Sequence, residues 1–322
     1  MSLCSICHLP FAICNFAYLL IIAYPDKKPG CRFPPFAFCN FAYLLMSQLR
    51  ISAVSYLNTK PFIYGLYRSD LADMMELNLD IPSVCAQKLL RGEVDLALAP
   101  VAIIPELPEA YIVSNYCIGA VGQVKTVCIF SNVPLPEVKH LYLDFHSRTS
   151  VALARILCEK YWHIQPEFVP ATEGFEQKIG GTTAAVIIGD RAIGKDKQFA
   201  YTYDLAEAWM NWTGLPFVFA AWISTKPIHA ILMERFNAAL QLGIDHIPEL
   251  TKILPTMPDF DLEEYFSHHI SYKLDQPKWL ALNRFLGLLA GENGYHLRRN
   301  VPAATVAAKY GGLRQLPVSM VV

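Results

Sequence analysis

The sequence predicts an α/β protein of two lobes with a ligand cleft between them. Three observations carry that prediction. From residue 49, short apolar runs alternate with amphipathic stretches in the order β-α-β-α-β, the mark of a parallel sheet covered by helices. The same alternation stops at a glycine-marked extended stretch and then starts again. After the second unit the chain runs through an aromatic extended segment, and beyond it only helical periodicity remains.

Taken in order, the first lobe reads as strand 50–55, helix 60–68, strand 76–81, helix 83–91 and strand 94–99. Apolar period and punctuation by Pro and Gly set these limits. "YIVSNYCIGAVGQVKTVCIFS" follows as extended chain with Gly119 and Gly122 in its middle, candidates for hinges between the lobes or for bulges. The second lobe reads as strand 141–144, helix 149–162, strand 166–170, helix 173–179 and strand 184–188. Residues 200–225 read as extended and aromatic, and helices are expected near 227–245, 261–269 and 275–290. A chain that builds one lobe, crosses to a second, crosses back and ends in helices follows the plan of the type II periplasmic-binding-protein fold. The expected divisions are a leader at 1–48, lobe 1 at 49–125, lobe 2 at 126–217, a return to lobe 1 at 218–290 and a loose tail at 291–322.

The totals restrict the function. At 322 residues the chain is long enough for two compact lobes, and 53% hydrophobic residues supply ample core. No run approaches the roughly 18–20 apolar residues of a membrane span, so no membrane partner is expected. With 27 Lys+Arg against 28 Asp+Glu the net charge is -1, which argues against a nucleic-acid partner and requires any anionic ligand to be met by local donors. Cys85, Cys117, Cys128 and Cys158 sit in apolar segments and read as reduced core thiols of a cytoplasmic protein.

The first 48 residues stand apart. "PFAICNFAYLL" at 10–20 returns as "PFAFCNFAYLL" at 35–45, with Ile13 against Phe38 the sole difference. Two copies are too few for a solenoid, and Met46 opens a credible start directly before the first strand. The leader lacks a basic region before its apolar run and a clear small-residue cleavage site after it, so export is not expected. "CSICH" at Cys4, Cys7 and His8 matches haem-attachment spacing but is read as coincidence.

Ligands of open α/β sheets bind beyond the carboxyl ends of the strands. In "RISAVSYLNTKPF" the first strand runs into Ser55, Tyr56, Asn58 and Thr59, and Pro61 opens the next helix. These polar groups are placed to meet a ligand, or to cap the helix. "LDFHSRTSVALARIL" crowds Ser147, Thr149 and Ser150 at the start of an amphipathic helix and adds the guanidinium of Arg148. Helix amides, hydroxyls and guanidinium together suit a carboxylate or phosphate; an ordinary helix cap is the plainer alternative. "AAVIIGDRAIG" ends a buried strand in Gly189 and Asp190, the latter able to orient a substrate hydroxyl or to cap a turn. "EVDLALAPV" brings Pro100 and Val101 to the same edge, while Asp95 ahead of it reads as structural. His146 lies near the anion cradle; His268 and His269 have no third ligand in view. No Walker loop, zinc spacing or G-x-S-x-G elbow occurs, so neither metal nor cofactor is expected.

These stretches, with "GEVDLALAPVA", "CIGAVGQVKTVCIFS" and "TGLPFVFAAW", occur in an order that resembles the chorismate dehydratase family of the futalosine route to menaquinone, over about residues 49–290. The leader and the tail depart from that family. The resemblance implies that chorismate is the small-molecule substrate and that it loses water to give 3-[(1-carboxyvinyl)oxy]benzoate. It implies anion sites at Ser147, Arg148, Thr149 and Ser150 on one lobe, with Asn58 and Ser83 addressing the other end of the substrate. Ser55, Pro100, Val101, Gly119, Gly122 and Gly189 complete the expected lining. No Glu or His stands in an evident catalytic place, so the substrate's own carboxylate is the expected base with Asn58 holding the geometry, and Asp190 is the protein alternative. Two rivals remain: a sister enzyme that cleaves a cyclised futalosine derivative, whose histidine base would stand where this chain has Gly189-Asp190, and a non-catalytic solute receptor.

Overall fold

A computed structural model describes residues 48–290 and the backbone of Arg298–Arg299. The chain divides into two units after Ser47, and the described residues belong to the second. The expectations for the duplicated leader and for most of the tail lie outside the described residues.

Lobe 1 opens with β1 (Leu49–Val54), α1 (Lys60–Tyr67), β2 (Met75–Asp80), α2 (Pro82–Leu90) and β3 (Leu96–Pro100). Each helix has a proline in its first turn, where the missing N–H is no loss. β3 is buried at every position, as a strand covered on both faces must be. The inward Ser52 hydroxyl bonds to Asp80 at 2.8 Å, and Lys88 pairs with that carboxylate at 2.6 Å, so the polar groups between β1, β2 and α2 satisfy one another.

The chain then runs through β4 (Tyr111–Ala120) into lobe 2, made of β5 (Val127–Ser131), β6 (His140–Leu143), α3 (Arg148–Lys160), β7 (Glu167–Pro170), β8 (Thr183–Ile188) and β9 (Tyr201–Asp204). α4 (Leu205–Thr213) leads back to β10 (Phe217–Ser224), α5 (Ala230–Asp245), α6 (Ile247–Ile253), the short α7 (Leu262–Glu264), β11 (Ser271–Lys273) and α8 (Gln276–Ala290); β12 (Arg298–Arg299) pairs with β4. The first sheet has the order β11-β4-β10-β3-β1-β2 and the second β7-β6-β8-β5-β9. Both are mixed. β1 pairs in parallel with β2 and β3, but β10 lies antiparallel between β3 and β4, and β5 lies antiparallel between β8 and β9. The strand that enters each lobe from the other therefore runs against its neighbours.

Three expected elements differ. The helix expected over 173–179 is a single tight turn, Phe175–Lys178, begun by Gly174 at φ +77 and ended by extended Ile179; buried Phe175 alone anchors it. The stretch 200–225 is not continuously extended, because α4 interrupts it. Asp204 caps that helix by accepting from Ala206 and Glu207, and Gly214 closes it at φ +70. The helix expected over 261–269 has three α-helical residues and then widens into a π turn over Tyr265–His269.

α1 and α5 cross with their backbones in direct contact. A Cβ on Gly65 would lie 1.9 Å from the Ala239 carbonyl oxygen, and one on Gly243 would lie 1.8 Å from that of Pro61. This crossing holds α1 against the helices of the returning chain and so fixes the strand-to-helix turn at residues 55–59.

Candidate functional site between the lobes

The carboxyl ends of β1, β2 and β3 face those of β6 and β8, and the lobes are closed on one another. Each strand end of lobe 1 leads into a turn whose first amides have no partner within the turn. Lobe 2 accepts them. Leu57 donates its N–H to the Asp190 carboxylate at 3.0 Å, Ser83 to the His146 carbonyl at 2.9 Å, and Ala102 to Thr149 Oγ1 at 3.1 Å. At the rim Arg148 pairs with Glu106 at 2.6 Å. The Tyr56 hydroxyl of lobe 1 bonds to His146 Nδ1 of lobe 2.

Between these contacts lies a cavity with about 460 Å³ of space free of atoms, part of it open solvent. Its polar wall is made by Tyr56, Asn58, Ser147 and Ser150, and Pro82, Pro100 and Gly189 stand where strands end. Val54, Ile118, Val127, Ile188 and Phe219 make the apolar wall. None of the described lining residues is cationic.

Ser147 caps α3: its Oγ accepts from the Ser150 amide at 3.2 Å and lies 3.1 Å from the Ser150 hydroxyl. The two hydroxyls and the positive end of a thirteen-residue helix thus face the cavity together. Across it, Asn58 has its side-chain oxygen 3.2 Å from Thr59 Oγ1, and its carbonyl accepts from the Tyr272 hydroxyl at 3.0 Å. Gly189 takes φ +64, and a Cβ there would lie 2.5 Å from the Tyr56 ring. The glycine is thus the seat on which the tyrosine of the opposite lobe rests.

The structure separates the predicted residues into two groups. Asn58, Pro100, Ser147, Ser150 and Gly189 line the cavity. Arg148 and Thr149 face lobe 1 instead, toward Glu106 and Ala102, because the first turn of α3 abuts the turn after β3. Asp190 faces the Leu57 amide. Burial pushes its carboxyl up, against the pull of that amide and of Lys60. Ser83 serves through its backbone, and Ser55 likewise donates its N–H to the Asp80 carbonyl. Val101 is fully buried in the core. Gly119 packs on the Lys278 side chain, and Gly122 sits at φ +83 in the crossing to lobe 2; neither is in the cavity lining.

The sequence puts Tyr56 among the polar groups placed to meet a ligand and His146 beside the anion cradle, but it does not join the two. Tyr56 stands in the right stretch, but its partner is ninety positions away and only the closed lobes join them. Behind the pair, Arg191 reaches the fully buried Asp144 and pairs with Glu176 at 2.7 Å, while Asp144 also accepts from His146 N at 3.0 Å. Burial pushes the Tyr56 phenol up, and burial followed by the Arg191 charge pushes the His146 imidazole down. Among the described residues no cluster of three or more His, Cys, Asp or Glu could hold a metal ion.

The sequence pattern of the family described as "Menaquinone biosynthesis" matches residues 49–291. The chain belongs to that family. A chorismate dehydratase of Thermus thermophilus is 25% identical over 262 residues, covering 70% of this chain and 94% of that protein. Among solved structures, a protein of Archaeoglobus fulgidus superposes with TM-score 0.57 at 13% identity, covering 76% of this chain and 96% of its own. An ABC transporter protein of Parabacteroides distasonis gives 0.54 at 17% identity, covering 76% and 92%. A Candida albicans protein with the generic periplasmic-binding-protein fold gives 0.51 at 12%, covering 76% and 90%. This member of the menaquinone biosynthesis family therefore has the two-lobed type II periplasmic-binding-protein fold.

Proposed function

We propose that this chain is a chorismate dehydratase, converting chorismate to 3-[(1-carboxyvinyl)oxy]benzoate in menaquinone biosynthesis. The observation that carries the proposal is the meeting of Asn58 from lobe 1 with Ser147 and Ser150 from lobe 2 on one cavity, in a chain of this family. The relative from Thermus thermophilus bears the same activity in its name, which supports the choice.

The chemistry suits such a site. The proton on the ring carbon bearing the ether leaves, its electron pair forms the new ring double bond, and the neighbouring hydroxyl departs with the pair of its C–O bond. Aromaticity drives the step, so the protein has chiefly to orient the substrate and stabilise developing charge. The start of α3 with Ser147 and Ser150 would receive one carboxylate. With no cationic side chain among the described lining residues, helix polarity and hydroxyls would carry that task. Asn58 would hold the enolpyruvyl carboxylate over the ring proton as the base. Asp190, turned to the Leu57 amide, is the less suitable base. The four described cysteines are buried and free, which supports a reducing, cytoplasmic setting.

The test is incubation of purified protein with chorismate, followed by absorbance and mass. An aromatic product one water lighter is expected. Unchanged chorismate, with cleavage of a cyclised futalosine derivative in a parallel reaction, would reassign the chain to the sister activity.

A further inference from the structure

We propose that the Tyr56 hydroxyl, seated by His146 across the closed lobes, gives the proton that converts the departing hydroxide to water. This rests on the dehydratase assignment and adds an acid to it.

Elimination needs a proton donor beside the leaving oxygen as well as a base beside the ring proton. Among the groups lining the cavity, Tyr56 combines a donor with a fixed position. The residue is 9% exposed, its ring rests on Gly189, its hydroxyl meets His146 Nδ1, and the two rings lie nearly parallel at 14°. Arg191, Asp144, Asp190 and Glu176 are the charged groups that act on this pair. Burial keeps the phenol protonated and the imidazole neutral near pH 7. A neutral His146 carrying its proton on Nδ1 donates to the tyrosine oxygen and leaves the phenolic hydrogen free for the cavity.

The step balances. The C–O pair leaves with the oxygen, which takes the phenolic proton and becomes water. Tyr56 remains as a phenolate beside the His146 N–H and the Arg191 charge, and solvent restores its proton when the lobes open. The ring proton leaves on the substrate carboxylate, so no oxidant or reductant enters. Because donor and seat lie on different lobes, the acid exists only in the closed state, and solvent-exposed chorismate meets no assembled site.

The test compares Tyr56→Phe, His146→Ala and His146→Asn with wild type in chorismate turnover, each checked by thermal melt for folding. Tyr56→Phe is expected to lower kcat by about 10²–10⁴-fold with KM changed by less than about threefold. His146→Ala should lower kcat in the same sense, and His146→Asn should restore a good part, since an amide can donate from near the Nδ1 position. A Tyr56→Phe enzyme with near-normal kcat, or with its loss confined to KM, overturns the assignment, as does equal damage from both His146 variants. Wild-type protein inert toward chorismate overturns the dehydratase assignment and this one with it. An active wild type with an unaffected Tyr56→Phe overturns this one alone.

Discussion

Gly189→Ala tests whether the closed contact between the lobes is what builds the site. The added Cβ would lie 2.5, 2.6 and 2.7 Å from Cε2, Cδ2 and Cζ of Tyr56, where ordinary contact begins at 3.4 Å. The ring must therefore retreat by about 1 Å, a misplacement that can cost about 10²-fold in rate. Retreat draws the Tyr56 hydroxyl from His146 and loosens the Leu57–Asp190 bond, each such bond contributing about 0.5–1.5 kcal/mol, or more where a charged acceptor is involved. Alanine at φ +64 adds about 1–2 kcal/mol of backbone strain whatever the lobes do. The sum, about 2–5 kcal/mol, should lower Tm by several degrees for a chain of this size. A double-mutant cycle separates the two parts. In a Tyr56→Ala background the clash is gone, and Gly189→Ala should cost only the strain, leaving a coupling of about 1 kcal/mol or more between the positions. Melting curves of the four proteins give the cycle, and chorismate turnover gives the rate. Equal loss of Tm in both backgrounds, with turnover of Gly189→Ala near normal, would refute this account of the contact.

Four further perturbations follow from the same geometry. Asn58→Ala should lower turnover by at least about 10²-fold while leaving Tm within a few degrees, and steady-state kinetics beside a melt will show whether it does. Asp190→Asn keeps an acceptor for the Leu57 amide and removes a buried charge, so turnover should persist. Because the wild-type carboxyl is raised, its contribution to stability is greatest when protonated at low pH and falls as pH rises through the raised value, so the Tm of Asp190→Asn relative to wild type should climb from about pH 4 upward; a pH-independent difference would contradict it. Arg148→Ala breaks a rim ion pair and should change Tm by no more than about 0–1 kcal/mol equivalent. Thr149→Val, which strands the Ala102 amide, should cost about 1–3 kcal/mol, read by the same melts together with a larger radius of gyration by X-ray scattering.

The fold was legible where local chemistry and tertiary role agree. β1 and β3 carry apolar runs, β2 alternates apolar with polar residues, and prolines start the helices after the first two. α4 was missed because Trp209 and Trp212 among other aromatics read as extended chain, although Asp204 with Glu207 and the closing Gly214 are ordinary helix signals. Strand ends also located Asn58, Ser147, Ser150 and Gly189, since the cavity must lie beyond them. What the sequence does not carry is which polar group turns to the cavity and which turns to the other lobe. Arg148, Thr149 and Asp190 all have partners far along the chain, Glu106, Ala102 and Leu57. The same distance in sequence hid the pairing of Tyr56 with His146, whose roles arise only when the lobes meet.

The most direct measurement is a time course of purified protein with chorismate alone, without added metal or cofactor, followed by mass spectrometry beside the Asn58→Ala variant. Steady formation of a product lighter by one water in the wild type, and its near disappearance in the variant, is the predicted result. Intact chorismate in both, or equal conversion by both, would contradict the proposal that this cavity dehydrates chorismate.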